Sequence, residues 1–334
     1  MGNLVRELFF AQNGKLLMQN ENQPSSNGPE RRRIRHLWQG SILLLLFPTF
    51  PSDWATGYSP ENDEPESAAV ALPNAHAHND YLHDKPLLDA LSQGFVSVEA
   101  DVHLVGGELY LGHWLPQLFP ARTLRETYLE PLHGLITRQG GRVYPGYNGT
   151  FFLMVDVKTD ASATYTELRR QLLQYPGFQC NPYFRVFISG NRAIPKILND
   201  PEEVMAVDGR LPDLYTPIAS DLMPVISDNF RKHFRWRGKG SMSGREKEKL
   251  KGYAEEAHRQ GKKLRFWATP DVPDVWATLL DAGVDFISID DLKGAGVFFA
   301  TRTNGRVKQA GQDSTAISRD RLVEPAANLA SKAR

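Results

Sequence analysis

A single cysteine, Cys180, in 334 residues leaves no partner for an intramolecular disulfide and no material for a multi-cysteine zinc site. Charge of one sign is also missing: lysine plus arginine number 39, and so do aspartate plus glutamate. A dedicated nucleic-acid binder usually carries a strongly basic balance, so nucleic acid is not an expected partner. No apolar run approaches the roughly 20 residues of a membrane-spanning helix, and no internal repeat is visible. What remains is a globular composition, 41% hydrophobic and 10% aromatic, which is neither disordered nor collagenous. The length allows one large domain or two small ones.

The charge is unevenly spread. Residues 1–57 read as a disordered basic N-terminus, polar from Ala11 to Glu30. Arg31-Arg32-Arg33-Ile34-Arg35 then precedes the short apolar stretch Ser41–Phe47, the order of a signal peptide's basic and apolar regions. The expectation is an extracytoplasmic protein, secreted or periplasmic; an over-extended start codon would make it cytoplasmic. Residues 58–71 form an acidic linker and residues 301–334 a polar tail. Between them the chain alternates strand-length apolar runs with amphipathic segments. The strand candidates are Leu72–His76, Phe95–Val102, Phe151–Val157, Phe184–Ser189, Val204–Val207, Met223–Ser227, Leu264–Ala268 and Phe286–Ile289. Eight strands alternating with helices over residues 72–300 predict an α/β fold of the (β/α)₈ TIM-barrel type, with a doubly wound sheet as the competitor.

A barrel of this kind carries its active site at the C-terminal strand ends. The first predicted strand runs into His76-Ala77-His78-Asn79-Asp80-Tyr81. The second carries Glu99-Ala100-Asp101, and its excursion returns through Gly112-His113. The third ends in Asp156-Val157-Lys158-Thr159. Glu99 and Asp101 are two apart on a strand and so share a face. With Asp156 they make a three-carboxylate, all-oxygen set suited to one divalent cation, Mg²⁺ or Ca²⁺. Histidines titrate near neutral pH and suit general acid–base roles beside such an ion, a combination fitted to phosphodiester cleavage. Asp80 and Asp84 are expected to cap a helix beginning near Pro86.

This ordered set, with the Leu88–Glu99 lead-in and the segments Phe266-Trp267-Ala268-Thr269 and Asp281–Asp290, resembles the glycerophosphodiester phosphodiesterase family and its phospholipase-C-like superfamily. The Asp-Val-Lys-Thr form is similar to spider-venom sphingomyelinase D. The His-x-His-Asn-Asp-Tyr opening is similar to the altered-inheritance-of-mitochondria branch. The resemblance implies a phosphoric diester hydrolase acting on a glycerophosphodiester or (lyso)phospholipid headgroup, in two steps through a cyclic phosphate. One histidine would be the base, with His76 preferred and His78 the alternative, and His113 the second catalytic histidine. Lys158 would add a positive contact to the phosphate. Asn79, Trp267 and Asn191 are the candidate substrate contacts.

Two other readings stay open. His76-x-His78 also suits an amidohydrolase-like metal hydrolase, although Val207-Asp208-Gly209 and Ser227-Asp228-Asn229 lack the further histidines such enzymes use. A non-catalytic phosphate- or lipid-binding barrel is the third. Separately, residues 231–265 hold 13 basic against four acidic side chains. There Phe230–Gly240 interleaves aromatics with bases, and a loop of that kind at the mouth could meet an anionic membrane peripherally.

Overall fold

The computed structural model describes residues 69–114 and 121–302. The signal-peptide-like stretch, nearly all of the acidic linker and all but the first two residues of the tail lie outside the described residues. Nine strands follow in chain order: β1 Leu72–Ala77, β2 Phe95–Val105, β3 Glu108–Leu111, β4 Phe151–Val157, β5 Phe184–Gly190, β6 Ala206–Gly209, β7 Val225–Asn229, β8 Lys263–Trp267 and β9 Phe286–Ile289. All but β3 are parallel to their neighbours, and the order β1-β9-β8-β7-β6-β5-β4-β2 is closed by pairing of β1 with β2. The eight-stranded TIM barrel is therefore observed, and ring closure excludes the doubly wound sheet. Two strands begin two residues later than the apolar pattern predicts. Val204, Met205 and Met223 are buried as lead-ins that pack before the ladder of β6 or β7 starts.

Helices fill the crossovers: α1 Leu88–Ser92, α2 Glu130–Arg138, α3 Ala161–Leu172, α4 Ile194–Leu198, α5 Phe230–His233, α6 Gly244–Arg259 and α7 Pro273–Asp281, with a further helix from residue 292. The helices α3 and α6 each start on a side-chain cap that satisfies an orphan N–H. Asp160 accepts from Ala163 N at 2.8 Å and Ser243 from Glu246 N at 3.3 Å. The expected capping role of Asp84 is not realised, since α1 begins at Leu88 without a side-chain cap. Asp80 instead holds the approach to it, accepting from Leu87 N at 2.6 Å and from the Tyr128 hydroxyl at 2.7 Å. Leu87 has φ +65°, a backbone state that leucine keeps only where surroundings impose it.

Inside the ring, Phe152 packs against Phe286 and Phe187, with centroids 5.3 and 6.0 Å apart, and Phe286 lies 6.2 Å from His76. Above this apolar floor the polar residues begin. No helix among the described residues is long and apolar enough to cross a membrane.

Candidate active site

The hairpin of β2 and β3 places the second histidine. Gly106 and Gly107 have φ +59° and +85°, the two positive values that a tight two-residue turn requires. The chain thus doubles back with Val102 opposite Leu111 and Val105 opposite Glu108, and Gly112 N donates to Asp101 O at 3.0 Å. His113, twelve residues beyond Asp101, returns to it: Nδ1 lies 2.6 Å from Asp101 Oδ2. Parallel pairing of β2 with β4 sets Asp101 opposite Asp156. Glu99, Asp101 and Asp156 each bring a carboxylate oxygen within 4.8 Å of the others.

These carboxylates have different environments. Glu99 is buried and accepts from Arg265 Nη2 at 3.0 Å. Burial alone would push its pKa up, but the Arg265 charge overcomes that and holds it well below the usual carboxylate range. Asp101 Oδ2 receives the Tyr81 hydroxyl at 2.9 Å and Lys158 Nζ at 3.0 Å, while its Oδ1 is buried without a hydrogen-bond partner. Burial, reinforced by Asp101 and Glu99, raises Asp156 to about 6 against the opposing pull of Lys158, whose Nζ is 2.9 Å from Asp156 Oδ1.

The two histidines after β1 separate sharply. His76 is fully buried, with Nδ1 2.7 Å from Ser97 Oγ and Nε2 3.4 Å from Glu99 Oε2. Burial and then the Arg265 charge lower its pKa to about 3. It is therefore neutral at pH 7, its Nε2–H turned to Glu99 and its Nδ1 accepting from Ser97. His78, 28% exposed, stands at the mouth with Nδ1 2.9 Å from Asp290 Oδ1 and Nε2 4.0 Å from Glu99 Oε2. Burial would lower its pKa, yet the hydrogen bond to Asp290 and the charge of Glu99 outweigh it and the net shift is upward. Of the two candidate bases, the preferred His76 is fully buried and the alternative, His78, is the partly exposed one.

The other predicted residues fall less uniformly. Asn79, at φ +53°, joins the His78 cluster by donating to Asp290 Oδ1 at 3.2 Å and accepting from Tyr81 at 3.2 Å. Trp267 ends β8, half-buried, with the Arg210 guanidinium 4.9 Å over its ring. Asn191 is exposed and tied by Nδ2 to Thr159 O at 2.9 Å. In Phe230–Gly240 the aromatics do not reach the surface. Phe230, Phe234 and Trp236 are buried, Phe234 and Phe266 being 5.7 Å apart, while Arg231, Lys232, Arg235, Arg237 and Lys239 stay exposed. Sequence reasoning assigned no role to Arg265, Asp290, Arg210 and Tyr81. The arginine inside the apolar run Leu264–Phe266 was the available signal, because a charge buried in a strand needs a partner.

The carboxylates fit a divalent cation. They form an all-oxygen set with one buried oxygen unspent, and an ammonium group, Lys158 Nζ, is already drawn between two of them. Among the described residues no other group of three potential ligands converges, so the amidohydrolase alternative finds no histidine set.

Residues 66–184 match the family model of the AIM6-like phosphodiesterase domain. The altered inheritance of mitochondria protein 6 homolog of Arthroderma benhamiae is 29% identical over 273 residues, covering 69% of this chain and 84% of that protein. The altered inheritance of mitochondria protein 6 of Eremothecium gossypii is 28% identical over 293 residues, covering 72% and 75%. A solved glycerophosphodiester phosphodiesterase from Parabacteroides distasonis is 12% identical and aligns with 70% of this chain and 100% of its own, at a TM-score of 0.44. The resemblance read from the motifs, to phosphodiesterases related to the altered-inheritance-of-mitochondria proteins, is borne out.

Proposed function

We propose that the chain is a metal-dependent phosphodiester hydrolase acting on a glycerophosphodiester or a (lyso)phospholipid headgroup, with His78 and His113 as its acid–base pair. One observation carries this reading: two accessible histidines flank a carboxylate pocket, and each is oriented by a carboxylate of its own. Asp290 lies 2.9 Å from His78 Nδ1, and Asp101 lies 2.6 Å from His113 Nδ1. A carboxylate on Nδ1 sets the tautomer and presents Nε2 for proton exchange.

Glu99, Asp101 and Asp156 would hold one Mg²⁺ or Ca²⁺, whose charge would offset that on the non-bridging phosphate oxygens. His78 Nε2 takes the proton of a substrate hydroxyl next to the phosphate. That oxygen forms a bond to phosphorus, giving a cyclic diester, as the bond to the leaving alcohol breaks. His113 Nε2 returns a proton to the leaving oxygen, and water opens the ring by the reverse transfers. Lys158 contacts a non-bridging oxygen, and neutral His76 keeps Glu99 in place from below. The test is turnover of glycerophosphodiesters, lysophospholipids and sphingomyelin with and without EDTA. EDTA-sensitive release of one alcohol supports the reading, and binding without turnover of any of them overturns it.

We also propose two extensions. The exposed bases around Arg235 would rest on an anionic membrane through charge alone, since the aromatics between them are buried. Residues 31–57 would direct export, which N-terminal sequencing of the protein recovered outside the cytoplasm would test.

A further inference from the structure

Beside the carboxylates a cavity of about 650 Å³ opens at the ends of β4 and β5, bounded by Lys158, Thr159, Asn191 and Arg192. Gly190, on the cavity wall, packs closely against Asp156. Its φ is +65°, and a Cβ there would come within 2.2 Å of Asp156 Oδ1 and 2.5 Å of Val157 O, so only glycine fits this close approach. On the cavity wall, half-buried Arg192 donates through Nη1 to the backbone oxygen of Asp208. The carboxylate of Asp208 is taken by Arg210, Nη1 to Oδ2 at 2.7 Å. Two guanidinium groups thus share one acidic residue, and among the described residues Arg192 forms no ion pair. A guanidinium carries five N–H donors, and a partly desolvated one with most of them unspent is stabilised by an anion. Asp160 also lines the cavity and accepts from Ala163 N at 2.8 Å as the cap of α3, so its one negative charge faces the two positive charges of Lys158 and Arg192. Ala161, the first residue of α3, stands on the same wall.

We propose that this cavity is an anion subsite, and that the alcohol of the cleaved phosphodiester carries a second phosphate-sized oxyanion that docks on Arg192. The proposal rests on the hydrolase reading for its substrate, but the subsite stands independently. Lys158 belongs to both places, lining the cavity while its Nζ lies 3.0 Å from Asp101 and 2.9 Å from Asp156, so a diester held at the carboxylates would have the cavity beside it.

The first measurement is calorimetric titration of the full-length protein with inorganic phosphate in EDTA. Arg192→Gln is expected to weaken binding about tenfold or more, the worth of a charge-assisted contact, and Arg192→Lys to recover part of it. Ala161→Asp, which puts a negative charge on the wall without touching Asp208, is expected to weaken binding similarly. The second measurement compares kcat/KM for a glycerophosphodiester whose alcohol bears an extra phosphate with the same diester lacking it. A preference for the charged diester that disappears in Arg192→Gln identifies the substrate class. Phosphate binding with no such preference assigns the subsite to free phosphate and overturns the substrate class. Phosphate binding that is absent, or unchanged in folded Arg192→Gln, overturns the subsite. If Arg192→Gln does not fold, unchanged binding in Ala161→Asp overturns it equally. Intact phosphate binding without turnover of any diester sinks the hydrolase reading alone.

Discussion

Asp285, where the chain enters β9, and Asp101, where β2 reaches the mouth, are carboxylates of one barrel with opposite surroundings. Asp285 Oδ2 accepts from Leu264 N and from His258 Nε2, both at 2.8 Å, and Lys263 Nζ lies 3.8 Å from Oδ1. That carboxylate ties β8 to α6 and β9. At the mouth, Asp101 and Asp208 each bury a carboxylate oxygen that has no hydrogen-bond partner, and Asp156 is pushed up to about 6. Buried polar groups left unsatisfied are costly, so Asp101 and Asp208 are not placed for stability alone. The bottom of the barrel uses charge to hold elements together. Its mouth gathers three carboxylates within 4.8 Å of one another.

The contrast can be broken by substitution at each end. At the mouth the largest effect is expected from His113→Ala and His78→Ala, each lowering phosphodiester turnover by about 10²–10⁴, the usual worth of a general acid or base. Both are expected to bind the metal and to melt near the wild-type temperature. Steady-state kinetics beside thermal unfolding check this, and full activity in either variant would return the role to another group. Next comes Asp80, below the mouth. Burial pushes its carboxyl up to about 6 from an ordinary 3.8, so between those values the folded state binds a proton that the unfolded chain has released. Ionisation therefore destabilises the fold above about pH 6, and the penalty fades as pH falls toward 4. Against Asp80→Asn, which keeps an acceptor for Leu87 and Tyr128, the wild type should gain roughly 3 kcal/mol over that window. Urea denaturation at several pH values gives the difference, and parallel curves for the two proteins would rule the shift out.

Asp285→Ala, at the bottom, is expected to cost about 2 kcal/mol of stability by stranding Leu264 N and His258 while leaving turnover per folded molecule unchanged. Lost turnover there would erase the distinction between the two ends. The smallest effect belongs to the basic rim. Arg235→Gln should weaken sedimentation with phosphatidylserine vesicles by about 1 kcal/mol, and equal binding would remove the membrane from the account.

Much of this was legible without coordinates. Strand positions follow from runs of apolar residues long enough to be buried on both faces, as in Phe95–Val102 and Phe151–Val157. Glu99 and Asp101 could be grouped because side chains on a strand repeat every two residues. His113 could be joined to them because Gly106-Gly107 marks a tight turn. The two histidines of His76-Ala77-His78 are equally spaced from that logic. Only the closed ring shows one ring under Glu99 and the other beside Asp290, since strand alternation puts both on one face and says nothing about depth. The same holds for the aromatics of Phe230–Trp236: their alternation with bases looks like a surface motif until Phe266 and Tyr253 are seen to cover them.

Local chemistry is written in the chain. Turn residues, apolar periodicity and the grouping of carboxylates are short-range properties, and from them the sequence alone determined a barrel with an acidic mouth. Tertiary structure decided which side chains share a partner. Arg265 reaches Glu99 across 166 residues, His78 meets Asp290 across 212, and Arg210 holds the carboxylate of Asp208 while Arg192 reaches only its backbone oxygen. Charge compensation depends on distances between strands that meet only when the ring closes, and no pattern along the chain encodes them.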